Sequence, residues 1–332
     1  MKTPPSLLPD ARTLERRLTA ALNGDGGSNG RVTVLKRSAP HYMSTFPNEI
    51  VTCRLPGGRK RRVFIKYGAG CSHYAYGHRG NIRYEAEVYQ RVLQALPEFR
   101  PKCLGAHTDP RTGDTVLFLE YADRCVPLSE ACWRRRTCQP GPMMHTARWL
   151  ARFHAHHQPR VNEPSLAFLK RYDAAYYRGW AQRTFEYARP LQPRFPWLSE
   201  LRKCGDAWFA PLLAAAPTVI HGEFFAKTVL VREEKLFLLD WESAAVAPGE
   251  IDLAMLTDGE GWPAKSIRRW EESYRRVRSP DGAPATFRRT FAAARIYVQF
   301  RWLGDRPEKT VIEKTLWRFD HLRGAAKKLG LL

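Results

Sequence analysis

No run of apolar residues in this 332-residue sequence approaches the ~20 that a membrane-spanning helix requires, so no membrane span is expected. The opening stretch MKTPPSLLPDARTLERRL lacks an uninterrupted apolar core ending in a small-residue cleavage site, and no secretory signal is read from it. Cysteine is sparse. The seven residues lie far apart, with no CxxC spacing and no histidine pattern beside them, which argues against zinc. An odd number of thiols without a signal sequence points to free cysteines in a reducing cytoplasm. Internal repeats and low-complexity tracts are also missing. Acidic residues are in short supply: 33 Asp and Glu face 54 Lys and Arg, a formal charge of +21. A field of that sign opposes the approach of a polycationic ligand. It suits a solvated Arg-rich surface, a nucleic-acid backbone or an anionic small molecule. No zinc-finger or RNP-like motif accompanies the charge, so nucleic acid ranks below a small molecule as partner.

What is present is an ordinary globular composition, 44% hydrophobic, that argues against disorder. Residues 10–23 predict a first helix, and β-type runs follow at 31–37, 49–55 and 61–68. Pro56-Gly57-Gly58 joins the last two as a hairpin. Apolar residues at 88, 89, 92, 93 and 96 mark one face of a helix over 84–96. Two more runs, 102–108 and 115–122, complete a five-stranded sheet with one helix. This small α+β part is expected to span residues 1–122. The remainder, 123–332, reads as mainly helical, with an amphipathic helix at 144–157 and a segment at 165–213 rich in aromatics and Arg. The only clear strand pair there is 228–231 with 235–241.

The chemistry concentrates around VIHGEFFAKTVLV, residues 219–231, where the carboxylate of Glu223 falls between two β-type runs. An unpaired charge buried there would be costly, so Glu223 either faces a cleft or lies at the surface. The second strand ends in LLDWE, which puts Asp240 just beyond an apolar run and aims it at the same cleft.

The ordered set HGEFFAKTVLV…LFLLDWESAAVAPGEIDLA resembles the signature of the aminoglycoside phosphotransferase-like kinases, a small-molecule branch of the protein-kinase-like fold. That pattern runs His-Gly-Asp-x-His-x-x-Asn-x-Leu, then Ile-Asp-Trp/Phe-Glu, then Pro-x-x-Asp-Leu-Ala. His221, Gly222, Leu230, Asp240-Trp241-Glu242 and Asp252 match it, and the resemblance extends over residues 30–260. Three positions depart from it: Glu223 replaces the catalytic aspartate, Phe225 the second histidine, and Thr228 the asparagine that holds a second metal.

The resemblance implies a two-lobed α+β fold, with a nucleotide-binding N-lobe (1–122) and a helical C-lobe (123–332) carrying the catalytic loop and acceptor site. It implies ATP and Mg2+ as cofactors and a small-molecule hydroxyl as acceptor. Glu223 would be catalytic, Asp240 the main metal ligand and Thr228 a poor second one, since a hydroxyl is a weaker magnesium ligand than an amide oxygen. Lys66, ending the run VFIKYG, would hold the nucleotide phosphates, oriented by Glu85 or by its neighbour Glu87. Glu85 is preferred because the apolar face at 88, 89, 92 and 93 lies three and four residues after it. Ser44 and Thr45 would cover the phosphates in a glycine-free loop, 38–49, and adenine would lie against Glu120, Tyr121 and Ala122. Asp252 would brace the catalytic loop, and His221 and His154 would be packing residues. Arg, Lys and aromatics on the acceptor-side segments suit a neutral, aromatic or anionic acceptor. A catalytically silent nucleotide-binding scaffold of the same fold is the alternative. Oligomeric state has no sequence signal.

Overall fold

The computed structural model describes residues 8–23, 30–40, 46–68, 76–95, 100–134, 140–233, 235–259, 262–282 and 284–332. Two compact units result. The first comprises Met1–Tyr74, Arg79–Cys125 and Lys235–Glu242; the second comprises Ala75–His78, Val126–Glu234 and Ser243–Leu332.

The first unit is built on an antiparallel sheet of β1 (Thr33–Ser38), β2 (Asn48–Arg54), β3 (Lys60–Tyr67), β4 (Cys103–Thr108) and β5 (Thr115–Glu120), in the order β1-β2-β3-β5-β4. The five strands expected from the β-type runs are all present. The turn between β2 and β3 closes with the Gly58 N–H donating to the Leu55 carbonyl, with Pro56 second and Gly57 third at φ 86°. Those two places demand the fixed φ of proline and the positive φ of glycine. Helix α1 (Ala11–Asn23) starts where the Asp10 carboxylate accepts from the Thr13 N–H. Its Leu14, Leu18 and Leu22 pack on Val51, Cys53, Val63, Ile65, Tyr67, Val116 and Phe118 from one sheet face. Side chains alternate along a strand, so Lys66, set between Ile65 and Tyr67, points to the opposite face.

Helix α2 (Ile82–Glu87) departs from the expected single helix over 84–96. It begins two residues earlier, where the Asn81 side chain caps the Tyr84 N–H. It then widens into a π-helical turn, Val88–Val92, followed by a 3-10 turn, Leu93–Ala95. The Leu93 N–H reaches back five residues to the Val88 carbonyl, and Val88, Tyr89, Val92 and Leu93 are all buried. Apolar spacing alone does not separate a π turn from an α turn.

In the second unit, the helix Phe287–Leu303 is central: it packs against Trp317–Leu329, Glu250–Leu256 and Ala174–Tyr187. The expectation of one strand pair in the C-terminal part needs correction. Pro217–Ile220 pairs antiparallel with Ala245–Pro248, which runs parallel to Lys170–Arg171, and Val126–Pro127 pairs with Val229–Arg232. These strands are two to four residues long and include Ala and Pro, so they carry little strand propensity of their own. No described helix is long and apolar enough to cross a membrane.

Candidate active site

The first unit gathers its charges around one ammonium. Lys66 is 1% exposed, and its Nζ lies 2.9 and 3.0 Å from the two oxygens of Glu85 and 2.7 Å from Asp240 Oδ1. Glu242 Oε2 stands 3.6 Å away, and its Oε1 is 3.7 Å from Arg79 Nε. Burial alone would lower the Lys66 ammonium, but the charges of Asp240, Glu85 and Glu242 outweigh it and hold it well above the ordinary lysine range. Burial raises the Glu85 carboxyl, opposed by Lys66. Glu87, the alternative partner, pairs with Arg83 one helical turn back instead. The Trp241 N–H donates to Glu85 Oε1 and the Trp241 indole to the Leu238 carbonyl, so the Asp240–Glu242 turn is pinned on both sides.

Among these three carboxylates only Asp240 reaches solvent, with a side chain 38% exposed against 0% for Glu85 and 4% for Glu242. It sits at φ 62°, a left-handed conformation that Asp tolerates better than most residues. Three carboxylates face two cations here, a balance that favours a further positive ion. A single accessible carboxylate fits Mg2+, which keeps most of its shell as water and phosphate oxygens. No group of three or more His, Cys, Asp and Glu with metal-holding geometry occurs among the described residues.

The residues expected to border adenine are more mixed. The Glu120 N–H is spent on the Lys102 carbonyl within the sheet, and its side chain accepts from the Lys102 N–H. Tyr121 lies under the Arg62 guanidinium, 4.6 Å from its centroid, and Ala122 is half-buried just past β5. Ser44 and Thr45 fall outside the described residues.

The second unit carries the loop that begins after Pro217–Ile220. Asp252 is fully buried and takes the N–H groups of His221 at 2.6 Å and Gly222 at 2.9 Å. His154 Nε2 lies 3.3 Å from Asp252, and His154 Nδ1 lies 2.9 Å from the Tyr274 hydroxyl. Burial lowers the pKa of the His154 imidazole, opposed by Asp252. The His221 ring accepts the Glu223 N–H, and Thr228 Oγ1 is directed at the Glu223 and Phe225 carbonyls, 2.9 Å from each. Thr228 thus ties the loop together from within.

Gly222 has φ 78°, and a Cβ there would lie 2.1 Å from the Ser243 carbonyl oxygen. Gly222→Ala is expected to lose about 1–2 kcal/mol from the left-handed backbone alone, and more from the clash, with transfer activity falling with it. Denaturant unfolding checks this; a variant of unchanged stability and turnover would refute the close packing.

The Glu223 carboxylate meets an arginine and a histidine that the sequence reading did not single out. The Arg301 guanidinium donates to Glu223 Oε1, and His78 Nε2 lies 3.6 Å from the same oxygen. Around them stand Tyr76, Trp180, Tyr176 and Tyr297: Trp180 lies 5.3 Å from both Tyr76 and His78, and the hydroxyls of Tyr176 and Tyr297 are 2.8 Å apart. Arg183 covers Tyr76 and Trp180. Arg301 was readable in principle, because an arginine inside the apolar run YVQFRWL must find a partner. His78 carried no such signal.

Residues 143–289 match the model of the phosphotransferase enzyme family. That stretch contains Glu223, Thr228, Asp240 and Asp252, and it bears out the resemblance and the expectation of a small-molecule kinase. No curated protein matches the sequence. Among solved structures, a choline kinase from Streptococcus pneumoniae is similar at 12% identity and TM-score 0.60, covering 97% of this chain and 99% of its own; it is also known in complex with AMP. An aminoglycoside phosphotransferase from Alicyclobacillus acidocaldarius has 16% identity and TM-score 0.54, covering 90% of each chain. A choline kinase from Cryptosporidium parvum has 12% identity and TM-score 0.55, covering 97% of this chain and 98% of its own. At these identities the likeness is one of fold.

Proposed function

We propose that the chain transfers the γ-phosphate of ATP, with Mg2+, to a hydroxyl of a neutral, aromatic or anionic small molecule. The first unit would serve as nucleotide lobe and the second as acceptor lobe of a two-lobed kinase-like fold. The observation that carries this reading is the buried Lys66–Glu85 pair with Asp240 beside it and open to solvent. Lys66 would hold the phosphates, with Glu85 fixing its ammonium, and Tyr121 and Ala122 would border the adenine. Mg2+, when bound through Asp240, would neutralise charge on the β- and γ-phosphate oxygens. Thr228 offers a hydroxyl, a poorer magnesium ligand than an amide oxygen, so one well-held metal is favoured over two. Glu223 would orient the acceptor hydroxyl and accept its proton as transfer proceeds. The retained set Lys66, Glu85 and Asp240 speaks for a working transferase over a silent scaffold.

The groups about Glu223 support this acceptor class. Two arginines and a histidine accompany that one carboxylate among stacked aromatics, whereas a polycation would call for several carboxylates. Labelled ATP offered with kanamycin, tyrosol and 4-(hydroxymethyl)benzoate tests this. Label is expected on one of the two aromatic alcohols; efficient labelling of kanamycin would overturn the acceptor class, and magnesium-independent transfer the cofactor.

A further inference from the structure

The helix Phe287–Leu303 buries an unbroken run from Ile296 to Arg301, and the Arg301 side chain is only 5% exposed. A guanidinium does not escape burial by losing its proton, so its charge has to be met. Glu223 meets it. Burial works against the charge, but Glu223 and then Tyr297, Tyr176 and Tyr172 outweigh it and raise the Arg301 pKa above the ordinary arginine value. Phe225 lies 5.8 Å from the guanidinium, and among the described residues its Nε is buried without a hydrogen-bond partner.

Glu223 is one methylene longer than the aspartate of the pattern it resembles. The extra torsion lets an untethered carboxylate sweep a wider volume, and misplacement of a reacting group by about 1 Å can cost 10²-fold in rate. The backbone of the loop is fixed by Asp252, His221 and Thr228, but none of those contacts reaches the Glu223 carboxylate. The Arg301 contact does.

We propose that Arg301 is a positioning residue, clamping Glu223 Oε1 so that the longer carboxylate is presented to the acceptor hydroxyl as a shorter aspartate would be. This rests on the reading of Glu223 given above. Glu223 and Arg301 then act as one unit, and restoring the aspartate alone does not improve the enzyme, because Glu223→Asp withdraws the carboxylate from its clamp.

The test measures kcat, KM for ATP and unfolding midpoint, with water, tyrosol and 4-(hydroxymethyl)benzoate as phosphate acceptors. Arg301→Gln is expected to lower kcat about 100-fold with KM for ATP unchanged, and Arg301→Lys to recover part of the loss. Glu223→Gln should lower kcat at least as much, by ~100-fold or more. Within Glu223→Gln, adding Arg301→Gln should cost nothing further, since the clamp has lost what it clamps. Losses that multiply in the double variant, or full activity in Arg301→Gln, would overturn the proposal. If Arg301→Gln does not fold, the comparison passes to Arg301→Lys and to the double variant, which leaves no lone charge buried. A fully active Glu223→Gln would remove the reading of Glu223 itself. A slow Glu223→Gln beside a fully active Arg301→Gln would remove only the clamp.

Discussion

Asp240→Asn is expected to abolish magnesium-dependent phosphoryl transfer while leaving the fold in place. The variant keeps the side-chain shape and a residue type that accepts φ 62°, whereas Asp240→Ala would add about 1–2 kcal/mol of backbone strain to the loss of charge. Lys66 stays compensated, because Glu85 still holds it at 2.9 Å and Glu242 stands 3.6 Å away. What disappears is the one solvent-reaching carboxylate of the cluster. Several kcal/mol of charge neutralisation should go with it, about 1000-fold or more in turnover. Transfer of labelled phosphate across a magnesium titration, with a melting curve alongside, checks the expectation. Unchanged turnover in Asp240→Asn would remove the kinase reading.

Lys66→Met should fail twice over, in stability and in nucleotide use. Glu85 has no solvent exposure, so taking away the ammonium leaves its carboxylate in the interior without the cation it pairs with. Breaking a buried pair in this way costs about 3–5 kcal/mol. Lys66→Met/Glu85→Gln should regain much of that stability, since the most deeply buried charge is then gone, yet remain unable to use ATP. Urea unfolding together with ATP binding separates the two effects. A double variant that recovers phosphoryl transfer would show that Lys66 and Glu85 serve the fold alone.

The five strands of the sheet were legible because each alternates apolar and polar residues or is bounded by turn residues that permit one geometry. The hairpin at Pro56-Gly57 is the clearest instance. The strands Pro217–Ile220 and Ala245–Pro248 were not legible: four residues containing Ala and Pro have no pattern of their own and form only against each other. The π turn at Val88–Val92 was hidden for a related reason, since its buried residues satisfy an α-helical face as well. Glu85 and Glu87 lie two positions apart, and the sequence preference for Glu85 rested on where the apolar face falls. In the folded chain Glu87 turns to Arg83, while Glu85 turns inward to Lys66.

By itself the sequence determined the order of the candidate residues, Lys66, Glu85, Glu223, Asp240 and Asp252, through their resemblance to a kinase signature. It also set the excess of positive charge and the departures at Glu223, Phe225 and Thr228. The tertiary structure alone decided which charges meet. Arg301 is 78 residues from Glu223 along the chain, and His78 lies 145 residues away on the other side, so no local pattern links them. Their pairing follows from burial: a guanidinium carried into the core by an apolar helix takes the carboxylate within its reach. Thr228 shows the same principle in reverse, its hydroxyl drawn to loop carbonyls 2.9 Å away. Local spacing dictates which groups a protein has to offer, and only packing dictates which of them are already taken.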